Sequence, residues 1–142
     1  MNHVFIILIG TLLKDKDYQK AIRFLEAQET LLSVFDGGCP DFYTCDKILA
    51  CMQKAGAYRD LKDKEHCLLE LEKLVRLAGQ AKTVEQSENF NIAVRNPLYF
   101  GDISGAIKEE YVSDFHPEQL LAKYDGFFGE DPAYLQFKKS VI

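Results

Sequence analysis

The sequence predicts an all-α protein of antiparallel helical hairpins, stacked as a right-handed α-α superhelix and closed by an irregular helical cap. Three observations carry this expectation. Apolar residues recur at three- and four-residue spacing through the first eighty residues, the period of a helix with one buried face. Two short polar turns, Lys14-Asp15-Lys16-Asp17 and Asp60-Leu61-Lys62-Asp63, join these stretches in pairs, and helices joined so tightly pack antiparallel. The pattern of helix, polar turn and helix then occurs a second time, as in repeat architectures.

The first helix is expected over residues 4–14 and is apolar nearly all round. Its core Val4-Phe5-Ile6-Ile7-Leu8-Ile9-Gly10 has no basic segment before it, and the apolar run ends at Leu13. That is short of the roughly 20 residues needed to cross a bilayer and lacks the layout of a secretory signal. A buried helix in a cytoplasmic protein is expected instead. Asp17 is placed to cap a second helix over 18–33, whose stripe is Tyr18, Ala21, Ile22, Leu25 and Leu32.

Asp36-Gly37-Gly38-Cys39-Pro40-Asp41 breaks the chain, since paired glycines and a proline end any helix. A third helix over 42–59 follows, with Tyr43, Ile48, Leu49, Met52, Ala55 and Tyr58 as packing positions. Asp63 caps a fourth over 64–79, striped by Cys67, Leu68, Leu71, Leu74, Val75 and Ala78, with Gly79 as its stop signal. Beyond residue 80 the period weakens. Helices are expected at 83–94, 103–112 and 117–124, with an aromatic loop at 95–101. Asp131-Pro132 opens a last helix over 132–140 as cap and first-turn proline. The whole is one domain: a hairpin over 1–35, a second over 41–80, and a cap over 81–142.

Charge narrows the function. Net charge is −5, and residues 81–142 hold ten Asp/Glu against six Lys/Arg. No basic stripe is available to neutralise phosphates, so direct nucleic-acid binding is not expected. Cys39, Cys45, Cys51 and Cys67 form no CxxC and no zinc spacing. They are expected as buried reduced thiols, without metal or other cofactor. His3, His66 and His116 lie beside no nucleophile motif, and no glycine-rich phosphate loop occurs. No enzymatic activity is expected. Ten of the seventeen aromatics follow residue 89. Most should close the apolar face of the last hairpin, while Tyr43, Tyr99, Phe100 and Tyr111 are candidates for a partner or peptide surface, where such rings are enriched.

The two turns align at a separation of 46 residues, which sets Ala21 against Cys67, Leu12 against Tyr58 and Leu25 against Leu71. This resembles the tetratricopeptide repeat. Phe5, Leu8, Leu12, Tyr18, Ala21 and Leu25 fall on its packing positions in the first unit, and Ala55, Tyr58, Cys67, Leu71 and Leu74 in the second. Ile9 stands where that family has a small residue, Lys54 where it has an apolar one, and the family spacing is about 34 residues. A repeat closed by Leu61–Ala78, an aromatic insertion and a final Phe127–Val141 segment is also similar to the C-terminal region of bacterial Xre-type helix-turn-helix regulators. That resemblance implies a dimerisation or effector-sensing domain, binding a peptide or a second subunit, whose DNA-binding head lies outside this chain. The alternative is a free-standing adaptor. The expected partners are therefore a protein or peptide, including a second copy in a homodimer, and no membrane.

Overall fold

The computed structural model describes residues 2–35, 44–84 and 117–142. Their regular structure is all helical: α1 (Asn2–Lys14), α2 (Tyr18–Phe35), α3 (Thr44–Asp60), α4 (Lys64–Val84), α5 (Pro117–Ala122), α6 (Asp125–Phe128) and α7 (Pro132–Val141). No strand occurs among the described residues. Packing follows chain order, α1 on α2, α2 on α3 and α3 on α4, with α7 laid against α4.

The 46-residue alignment is reproduced bond for bond. In the first turn Lys16 N–H donates to the Leu13 carbonyl at 3.2 Å and Asp17 N–H to the Leu12 carbonyl at 2.9 Å. In the second, Lys62 N–H donates to Arg59 at 3.0 Å and Asp63 N–H to Tyr58 at 2.9 Å. Both are Schellman closures, in which the last carbonyls of a helix are satisfied by a left-handed residue and its successor. The left-handed residues are lysines, Lys16 at φ 61° and Lys62 at φ 64°, where glycine is the usual occupant. Asp63 then caps α4, its Oδ1 accepting from His66 N–H at 3.1 Å.

A Cβ at a left-handed position costs about 1–2 kcal/mol, partly offset by the lower unfolded-state entropy of a non-glycine residue. Lys62→Gly is therefore expected to stabilise the fold by about 0.5 kcal/mol, and Lys62→Val to destabilise it by about 1 kcal/mol. Paired thermal melts check this. A glycine variant that melts lower than the parent would contradict the assigned backbone.

Two apolar clusters hold the stack. The larger joins Ile48, Cys51, Ala55, Cys67, Leu71, Leu74 and Ala78 of the second hairpin to Leu121, Tyr124, Phe128 and Tyr134 of the cap. The smaller consists of Ile9, Leu25 and Ala50, flanked by Phe5, Leu13 and Phe24. Ala21 and Cys67 are both fully buried at the hairpin crossings, and the Cys67 thiol reaches the Ala55 carbonyl of the facing helix at 3.4 Å.

Gly79 does not stop α4, which runs on to Val84. A glycine within a helix costs only about 1 kcal/mol, and no feature here requires it to leave helical geometry. The Gly-Gly loop, the aromatic loop, the helix expected at 103–112 and the part of the 83–94 helix beyond Val84 lie outside the described residues.

Candidate functional site

α1 is apolar on two faces, and only one is covered. Phe5, Ile9 and Leu13 turn inward, with Ile9 fully buried beside Leu25 of α2 and Phe5 meeting Phe24 edge-on at 6.3 Å. The opposite face carries Val4 at 58% exposure, Ile7 at 60% and Leu8 at 41%, followed by exposed Thr11. These four positions follow i, i+3, i+4 and i+7 spacing and so form a continuous strip along the helix. Leu8, expected to pack within the repeat, is thus on the outside. Among the described residues, α1 packs chiefly on α2, and Ile9 also shares a cluster with Ala50 of α3.

The strip is also dry in character. The Thr11 hydroxyl donates to the Ile7 carbonyl at 3.0 Å, so it leaves no unsatisfied donor if covered. No Asp, Glu, Lys or Arg occurs between Asn2 and Leu13, where His3 is the one titratable side chain. Isolated exposed apolar residues are ordinary, but a contiguous strip is a mark of an interaction surface.

A second feature is a charged cluster inside the stack, where α2, α3 and α4 meet. Lys54 Nζ lies 2.9 Å from Glu70 Oε1 and 3.3 Å from Glu29 Oε2, its side chain only 4% exposed. Lys73 Nζ adds a 2.7 Å contact to the same Glu29 oxygen. Burial works against the Lys54 ammonium, but the hydrogen bond to Glu70 and the charges of Glu29 and Glu70 outweigh it and raise its pKa. The other Glu70 oxygen, Oε2, is buried without a hydrogen-bond partner. Donor atoms of Glu29, Cys51 and Glu70 lie within 4.8 Å of one another, a spacing that could hold a cation. The cation in that place is the Lys54 ammonium. Burial pushes the Cys51 thiol up to about 12, so it is a neutral thiol at physiological pH and a poor ligand or nucleophile.

The cap is held by a third set of contacts. Asp131 accepts from Tyr134 N–H at 3.1 Å and Pro132 opens α7. The Tyr134 ring stacks on Phe128 at 4.3 Å. Its hydroxyl donates to Asp125 Oδ1 at 2.6 Å, and Lys138 Nζ donates to both Asp125 oxygens at 2.9 and 3.0 Å. These two donors hold the Asp125 carboxyl below the usual carboxylate range. Between α4 and the cap an open groove of about 370 Å³ is lined by apolar Leu68, Leu69, Phe128 and Ala133 together with charged Lys64, Glu65 and Asp131.

Ala21, Leu25, Ala55, Cys67, Leu71 and Leu74 are buried, while Phe5, Leu12, Tyr18 and Tyr58 are half-buried. Tyr43, Tyr99, Phe100 and Tyr111 lie outside the described residues. The outward strip was foreshadowed by the all-round apolar character of the first helix. The ion cluster had one visible signal, Lys54 at an apolar position. No helix among the described residues is long and apolar enough to cross a membrane. Against family models, curated proteins and solved structures, the chain gives no match.

Proposed function

We propose that this chain is a protein-interaction module of stacked helical hairpins, tetratricopeptide-like in design, that works by presenting the outer face of α1 to a protein partner. The observation that carries this reading is the charge-free strip of Val4, Ile7 and Leu8 exposed on α1. Burying such apolar surface is the main driving force for association.

The reading predicts an adduct. With a photo-reactive phenylalanine derivative in place of Leu8, irradiation of living cells should join the chain to a protein. The same group at exposed Gln136 on α7 should not. Equal yields at the two positions, or no adduct at Leu8, would remove the proposal.

Within this reading, the resemblance to the C-terminal part of Xre-type regulators supports a dimerisation or effector-sensing role beside a DNA-binding head. The reading frame upstream of Met1 tests it: small basic helices there support the regulator. A start of translation at Met1 leaves the alternative, a free-standing adaptor.

A further inference from the structure

We draw no further inference here: the strongest candidate, the open groove between α4 and the cap, carries nothing, because its charges are mixed, Lys64 beside Glu65 and Asp131, and nothing in the structure shows what covers it.

Discussion

Lys54→Met is expected to destabilise the protein by about 3–5 kcal/mol, the usual cost of removing one member of a buried ion pair. For a chain of this length that is a fall in melting temperature of roughly 10–15 °C. Methionine matches the length of the lysine stem, so lost packing is small. The cost arises because Glu70, its side chain 13% exposed, loses its cation while its Oε2 already has no partner. Glu29 keeps Lys73 at 2.7 Å. Removing the stranded carboxylate should therefore restore much of the loss: Lys54→Met/Glu70→Met is expected to regain about 2 kcal/mol over Lys54→Met alone. Urea unfolding of the two single variants and the double variant measures the coupling. Additive effects would mean that the Lys54–Glu70 contact contributes nothing specific.

The sign of the pH dependence follows. The Lys54 pKa is raised on folding, so its contribution is complete below the unfolded value of 10.5 and fades only as pH climbs through the higher folded value. Through the neutral range the cluster acts as a fixed pin.

The second large effect belongs to the cap. Tyr134 is 1% exposed and the largest fully buried side chain among the described residues, so Tyr134→Ala is expected to cost about 3–5 kcal/mol. Tyr134→Phe separates the ring from its hydroxyl. It keeps the stack on Phe128 but gives up the 2.6 Å bond to Asp125, for about 1–2 kcal/mol. Lys138 continues to hold Asp125 in that variant, which keeps the loss moderate. Melting curves of the two variants check the order. A phenylalanine variant as unstable as the alanine one would place the energy in the hydrogen bond rather than in the ring. Because α4 and the cap share one core, loss of cap packing should also lower the helical signal of the second hairpin.

Local structure was the legible part. Both hairpin turns, the Asp63 cap, the Asp131-Pro132 helix start and the small-residue crossings at Ala21 and Cys67 follow from spacing within a few residues. Such features are decided by neighbours in sequence. Gly79 shows the limit of local signals, because a glycine permits a helix to end without compelling it. Leu8 shows another: a helix apolar all round does not reveal which stripe is covered until its neighbours are known. The ion cluster was least legible. Lys54 stood out as a misfit, but Glu29 is 25 residues away and belongs to the other hairpin. Only the rotation of one hairpin on the other brings that carboxylate to the ammonium.

The unequal size of the two apolar clusters has a consequence for recognition. On α1 itself Ile9 is the one core residue among the described residues, packed with Leu25 of α2 and Ala50 of α3, whereas α3 and α4 share a broad core with the cap. Among the described residues, the helix that carries the outward strip is therefore the one with the least core to hold it against local opening. A partner that settles on α1 also restricts those excursions, and part of its binding energy is used in ordering the hairpin. Affinity at this surface is thus set by the repose of α1 as well as by the contacts made on it, and a substitution that tightens α1 on α2 would strengthen binding without touching the partner.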